Sequence, residues 1–158
     1  QKVLLIGVSF ALLEFAKHPF FDDFMGFENT VVMETGGMKG RGKEMIRSEL
    51  HKILSSRFGV DNIHSEYGMT ELLSQAYSNG LGKYTCPPWM DILIRDVNDP
   101  FSLVEENKAG GVNVIDLANL YSCSFIATDD LGKKDLRGQV EILGRFDSSE
   151  VRGCNQMV

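Results

Sequence analysis

Apolar residues run almost unbroken from Val3 to Phe10 and then recur at helical spacing through Leu12, Leu13, Phe15 and Ala16, until His18-Pro19 interrupts the pattern. This predicts a buried strand over residues 2–10 followed by a helix over 11–17. The segment 20–27 is aromatic and acidic, and its rings are expected to cover a core. Thr30-Val31-Val32-Met33-Glu34-Thr35 reads as a second strand, closed by Gly36-Gly37.

Over residues 42–58 the pattern changes period. Ile46, Leu50, Ile53, Leu54 and Phe58 fall on one face, and Lys43, Glu44, Arg47, Glu49, Lys52 and Arg57 on the other, so an amphipathic helix is expected. Gly59 ends it, and a further strand leads into Ser65-Glu66-Tyr67-Gly68-Met69-Thr70-Glu71. Alternating strands and helices predict a parallel α/β unit over residues 1–78. Beyond Asn79 the texture shifts to short strand-like runs at 90–95, 111–117, 123–128 and 138–143, with a loop at 97–108. Residues 79–143 are therefore expected to form a small antiparallel β-rich sheet or distorted barrel, with 144–158 as a tail.

The remaining bulk properties narrow the functional classes. The chain has 158 residues, 43% of them hydrophobic and 24% charged, which suits a globular fold. A net charge of −6 with dispersed Lys and Arg disfavours nucleic acid as a partner. The first apolar run is too short to span a membrane and lacks the flanks of a signal peptide, so cytoplasm is the expected compartment. Cys86, Cys123 and Cys154 form no CxxC pair and are odd in number, which argues against a disulfide framework or structural zinc.

Candidate chemistry gathers at the seven-residue stretch ending in Glu71. It reads as a strand end, a glycine turn at Gly68 and a helix start, with Thr70 as N-cap and the helix running through Tyr77. A helix start favours phosphate, and Glu71 beside a phosphate calls for a divalent cation between them. Tyr67 offers a flat face to a purine. An ordinary capped helix accounts for the same residues. Gly37-Met38-Lys39-Gly40-Arg41-Gly42-Lys43-Glu44 meets the phosphate-loop pattern GxxxxGK, but Glu44 stands where Ser or Thr is required. A solvated glycine-rich turn is the simpler reading.

Taken in order, Thr35-Gly36-Gly37, Tyr67-Gly68-Met69-Thr70-Glu71, Thr128-Asp129-Asp130-Leu131-Gly132 and Gly144-Arg145-Phe146-Asp147 resemble the adenylate-forming superfamily of acyl-CoA synthetases and related ligases. The resemblance implies a partial N-terminal domain of that superfamily, binding ATP and Mg2+. It places Gly36, Gly37, Tyr67 and Gly68 around adenine, Thr70 and Glu71 at phosphate and magnesium, and Asp130 and Arg145 at the ribose. The superfamily usually has Thr-Gly-Asp at 128–130, so Asp129 and Asp130 both remain candidates for the ribose.

The tail Ser149-Glu150-Val151-Arg152-Gly153-Cys154-Asn155, with Gly7-Val8-Ser9-Phe10 and Met33-Glu34-Thr35-Gly36-Gly37-Met38-Lys39-Gly40, resembles the acyl-protein synthetase (LuxE) family. That resemblance implies activation of a fatty acid as acyl-AMP, transfer to Cys154, and delivery to a partner reductase. Arg152 would favour the Cys154 thiolate. The superfamily's Ser/Thr/Gly-rich phosphate loop has no counterpart here, so a missing N-terminal part of the same protein is expected and the chain alone is expected to be inactive. A carboxylate-CoA ligase and a non-catalytic binding module are the alternatives.

Overall fold

A computed structural model describes residues 2–36 and 45–146, which divide into two compact units. Unit 1 runs to Gly68 and includes Ala76–Tyr84, while unit 2 takes Met69–Gln75 and the chain from Thr85 onward. Nine strands and two α-helices occur among the described residues. No helix among them is long and apolar enough to cross a membrane.

In unit 1, β1 (Val3–Val8), β2 (Thr30–Thr35) and β3 (Ile63–Tyr67) are parallel neighbours, with Val3 opposite Thr30 and Val32 opposite Ile63. β4 (Ala76–Ser78) adds antiparallel to β3, and β5 (Lys83–Thr85) follows it. The helices are α1 (Ser9–Ala16) and α2 (Arg47–Phe58). Leu50, Leu54 and Phe58 recur every fourth residue of α2, the spacing that stacks side chains on one helical face. They bury against Leu12, Ala16, Phe21, Val32 and Ile63. Ile46, expected on that face, precedes the helix and is exposed.

The aromatic segment behaves as the sequence pattern implies. Phe21 is buried, and its ring lies 5.1 Å from that of Phe58 and 5.0 Å from that of Phe15, both edge-on. Where α2 ends, Gly59 adopts φ 63° and crosses Gly26, which has φ 113°. A Cβ on Gly59 would lie 2.4 Å from the Gly26 Cα, so neither position tolerates a side chain without backbone movement.

The opposite face of the parallel strands is different. Val31 lies in register with Leu4, and its neighbour Val32 points the other way into the core. Leu4, Ile6 and Val31 are all exposed there.

Unit 2 is a meander of β6 (Met90–Arg95), β7 (Gly110–Asp116), β8 (Phe125–Lys134) and β9 (Val140–Arg145), each antiparallel to the next. Met90, Ile92 and Ile94 alternate inward from β6, as Val112 and Val114 do from β7, and Val140 joins them. The β6 boundaries match the apolar run in the sequence, whereas β8 extends to Lys134, beyond the expected stop at Thr128.

One expectation fails. Residues 70–77 form no helix: a single turn, closed by the Leu72 N–H donating to the Met69 carbonyl at 3.1 Å, passes straight into β4. Thr70 is therefore not an N-cap. The β4 residues Ala76, Tyr77 and Ser78 pair instead with Tyr67, Glu66 and Ser65.

Leu54→Ala is expected to lower unfolding free energy by about 2–5 kcal/mol, the range for emptying a packed leucine site. Gly59→Ala is expected to cost at least about 1 kcal/mol, from positive φ and the collision with Gly26. Urea unfolding followed by circular dichroism measures both.

Candidate functional site

In unit 1 the residues of interest sit at the C-terminal ends of β2 and β3. Gly36 is exposed with φ 66°, a conformation suited to glycine. Its carbonyl accepts a hydrogen bond from Ser9 Oγ at 3.1 Å. The same hydroxyl lies 2.9 Å from Glu34 Oε2. Glu34 is almost wholly buried, and its Oε1 faces Arg47 Nε at 3.3 Å and His51 Nε2 at 3.5 Å. Burial pushes the Glu34 carboxyl up, but His51, Ser65, Arg47 and Ser9 together outweigh it and hold the group below its ordinary value.

Strand alternation sets the rest. Ile63, Ser65 and Tyr67 share the buried face of β3, so the Tyr67 ring is 8% exposed and packs edge-on at 6.0 Å from Tyr84. Glu66 takes the other face, where Thr35 Oγ1 donates to its Oε1 at 3.0 Å. Gly68 is exposed and is not among the glycines of positive φ.

In unit 2 the segment Met69–Gln75 is organised by Asp116, the fully buried last residue of β7. Asp116 Oδ2 accepts from the Leu73 N–H at 2.9 Å and the Ser74 N–H at 2.8 Å, while Oδ1 accepts from Ser74 Oγ at 2.7 Å and the Ala118 N–H at 3.1 Å. Trp89 Nε1 donates to the same Ser74 hydroxyl at 2.9 Å. Asn119 Nδ2 donates to the Glu71 carbonyl at 2.7 Å. The Ser74 N–H and the Glu71 carbonyl, which a helix capped by Thr70 would pair with Thr70 and Gln75, are engaged by Asp116 and Asn119 instead. Thr70 and Glu71 are left exposed on the turn. Burial raises the Asp116 carboxyl, yet the Ser74 hydroxyl and the Ser74, Leu73 and Ala118 amides outweigh it and leave the group below its usual value.

The structure brings Asp130 and Arg145 together. They are register partners across β8 and β9, with Arg145 Nε 3.4 Å from Asp130 Oδ1. Asp129 is 3.8 Å from Arg145 Nη2 and its side chain is 79% exposed, against 14% for Asp130. Gly37, Cys154 and the glycine-rich stretch to Glu44 lie outside the described residues. Of the two cysteines described, Cys123 is exposed. The Cys86 thiol is pushed up to about 11 by burial and by Asp91, against an opposing pull from Lys134.

In the sequence Asp116 merely closes an apolar run and Glu34 is one polar position within another. A buried carboxylate at a strand end is the signal that could have marked both, because each requires distant donors.

The family model for acyl-protein synthetase, LuxE, matches residues 2–158. The chain belongs to the LuxE acyl-protein synthetase family. No curated protein matches it. Among solved structures it is similar to ATP-bound MatB from Rhodopseudomonas palustris, with 20% identity and a TM-score of 0.66 over 90% of this chain and 31% of that one. The luciferase-like enzyme of the nonluminescent Zophobas morio mealworm gives 18% identity and a TM-score of 0.62 over 92% and 38%. A benzoate CoA ligase from Burkholderia xenovorans LB400 gives 15% identity and a TM-score of 0.59 over 90% and 31%. At these identities the likeness establishes the fold, that of the adenylate-forming enzymes. This LuxE-family chain spans between 31% and 38% of the length of those three structures.

Glu34 and Asp116 both have lowered values in the folded protein. Their contribution to stability is complete above the ordinary carboxylate range and is lost as pH falls through the folded values. Acid unfolding is therefore expected to shift least between pH values when Asp116 is replaced: Asp116→Asn should cost about 2–3 kcal/mol at neutral pH and flatten the acid limb of a stability–pH profile.

Proposed function

We propose that the full-length protein is an ATP-dependent acyl-protein synthetase that activates a fatty acid as acyl-AMP and passes the acyl group to Cys154, for delivery to a partner reductase. The observation that carries this reading is the family match over residues 2–158. The Asp130–Arg145 pairing and the anchored Thr70-Glu71 turn support it within unit 2.

In the first half-reaction a carboxylate oxygen of the fatty acid attacks the α-phosphorus of ATP, and pyrophosphate leaves with the electron pair of the broken P–O bond. Asp130 suits this by presenting a carboxylate to ribose hydroxyls, with Arg145 Nε beside its Oδ1 at 3.4 Å to orient it. Gly36, Gly37, Tyr67 and Gly68 are assigned to adenine. Thr70 is assigned to phosphate. Glu71 is a single exposed carboxylate, and among the described residues no group of three or more His, Cys, Asp or Glu could hold a metal. That donor set fits Mg2+ arriving with a nucleotide, since magnesium is held by one or two carboxylates together with phosphates and water. When bound, the ion would neutralise charge between Glu71 and the phosphates.

In the second half-reaction the Cys154 thiolate attacks the acyl carbonyl carbon, the C–S bond forms, and the bond to the phosphate oxygen breaks with release of AMP. In sequence, Arg152 and Gly153 next to it suit that role, a nearby guanidinium favouring a thiolate and a glycine adding no side chain beside it. Cys86, held protonated with a value of about 11, is poorly suited to the role.

The chain is, in this reading, the C-terminal part of a cytoplasmic enzyme, divided at about residues 78 and 143 into an α/β part, a β-rich part and a tail. The exposed Leu4, Ile6 and Val31 support a further part of the same protein, because parallel strands are ordinarily covered on both faces. Fatty-acid-dependent ATP–pyrophosphate exchange is accordingly expected from the full-length protein and not from these 158 residues alone. Robust exchange by the isolated chain contradicts the fragment reading.

The rival is a carboxylate-CoA ligase of the same superfamily. Full-length protein given ATP and labelled fatty acid should acquire hydroxylamine-sensitive label, and Cys154→Ser should abolish that label while retaining pyrophosphate exchange. Label that survives in Cys154→Ser, or that appears on coenzyme A alone, favours the rival. A full-length protein that neither binds ATP nor forms an acyl adenylate would instead be a binding module.

A further inference from the structure

Arg95, the half-buried last residue of the edge strand β6, follows the buried Ile94 and lies in register with Gly111 of β7. Its Nη1 donates to the Val112 carbonyl at 2.9 Å and to Asn113 Oδ1 at 2.8 Å, and its Nη2 donates to the Thr128 carbonyl at 2.8 Å. The guanidinium carbon also sits over the Phe146 ring, 5.7 Å from its centroid. One side chain thus reaches β7, β8 and the residue that follows Arg145.

Space for it is built into the backbone. A Cβ on Gly111 would lie 2.5 Å from Arg95 Cζ, so the guanidinium occupies the volume that any other residue at 111 would fill. The β7–β8 register also shifts between Gly111 and Asn113, next to the Val112 carbonyl that Arg95 engages. That carbonyl accepts a second bond, from Thr128 Oγ1 at 2.9 Å, and the Thr128 hydroxyl in turn accepts from the Asp130 N–H at 3.1 Å. From the other side, the Phe146 N–H donates to the Asp129 carbonyl at 2.7 Å. Asp129 and Asp130 are therefore held between two features, Thr128 and Phe146, and Arg95 touches both.

We propose that Arg95 is a positioning residue for the nucleotide: through Thr128 and Phe146 it fixes the backbone that presents the Asp130 carboxylate, and fixes with it the start of the segment leading toward Cys154. The inference rests on the assignment of Asp130 to the ribose. The planar fork is needed for it, because three oxygen acceptors and an aromatic face are met at once, which the single ammonium of a lysine does not reproduce. A residue that only stabilised the sheet would affect every substrate alike.

The test uses the full-length protein with Arg95→Lys, Arg95→Met and Phe146→Leu, the last removing the stacked ring while leaving the fork in place. Two readouts are taken on variants that retain a cooperative unfolding transition. The first needs no nucleotide: amide hydrogen exchange at Asp130 and Phe146 is expected to accelerate about tenfold in Arg95→Met, a local change of the size that one such anchor supports, with Ile92 and Val114 unchanged. The second is pyrophosphate exchange, in which KM for ATP should rise about tenfold in Arg95→Met, with KM for the fatty acid within about twofold, where tenfold corresponds to about 1.4 kcal/mol. Arg95→Lys should recover less than half of that loss, and Phe146→Leu should show a smaller rise of the same kind. Unchanged amide exchange and unchanged KM for ATP in Arg95→Met overturn the inference, as does an equal rise in both KM values. Absence of ATP-dependent exchange in the unsubstituted full-length protein overturns instead the underlying functional reading, and with it the nucleotide role of Arg95.

Discussion

Removing a carboxylate from water costs more than any one hydrogen bond returns, so a buried carboxylate has to be surrounded by donors or lose its charge. Each unit of this protein is arranged around one such group. In unit 1, Glu34 gathers Ser9 from α1 and Arg47 and His51 from α2 onto the end of β2. In unit 2, Asp116 gathers the amides of Leu73, Ser74 and Ala118 and the Ser74 hydroxyl. Both carboxylates are kept ionised by these donors despite their burial. The surrounding hydrophobic packing supplies bulk stability, but the carboxylates decide where the connecting segments go.

The consequences differ between the two units. The Glu34 cluster ties together the elements on either side of the β2–α2 connection: Ser9 holds the Gly36 carbonyl at its beginning, and Arg47 opens the helix at its end. Asp116 acts on a segment more than forty residues away in sequence, which explains how a turn without regular structure becomes well defined. In the same unit the Asp130–Arg145 pair lies at the β8–β9 ladder, where register alone makes the two residues neighbours. Ordered loops at strand ends, held by rigid neighbours, are where binding groups are usually carried.

Much of the fold was legible because its signals are local. The strand-like runs Thr30–Thr35 and Met90–Arg95 define β2 and β6 to the residue, and the four-residue recurrence of Leu50, Leu54 and Phe58 defines the buried face of α2. Residues 70–77 misled because Thr70 ahead of Leu72 and Leu73 has the local form of a capped helix, and only Asp116 and Asn119, distant in the chain, cancel it. β4 and β5 are three residues each, too short to carry a periodicity. Arg95 was invisible for a similar reason: at the end of an apolar strand it looks like a solvated terminus, and the space that Gly111 leaves for it is apparent only once β6 and β7 are paired. The order of the glycine, Thr-Glu, Asp and Arg motifs was readable in one dimension, and the family resemblance it carried agrees with the family match over residues 2–158.

The turn at Thr70 and Glu71 is held through its peptide groups: the Glu71 carbonyl by Asn119, the following amides by Asp116. Neither anchor engages the side chain of Thr70 or Glu71, and both of those residues are exposed. Shape and chemistry are thus assigned to different residues. Selection can exchange the two side chains, and so alter what the turn meets, while leaving the scaffold that presents them in place; changing Asp116 would instead move the whole turn at once. A turn divided in this way can change its exposed chemistry by single substitutions without passing through an unfolded ancestor.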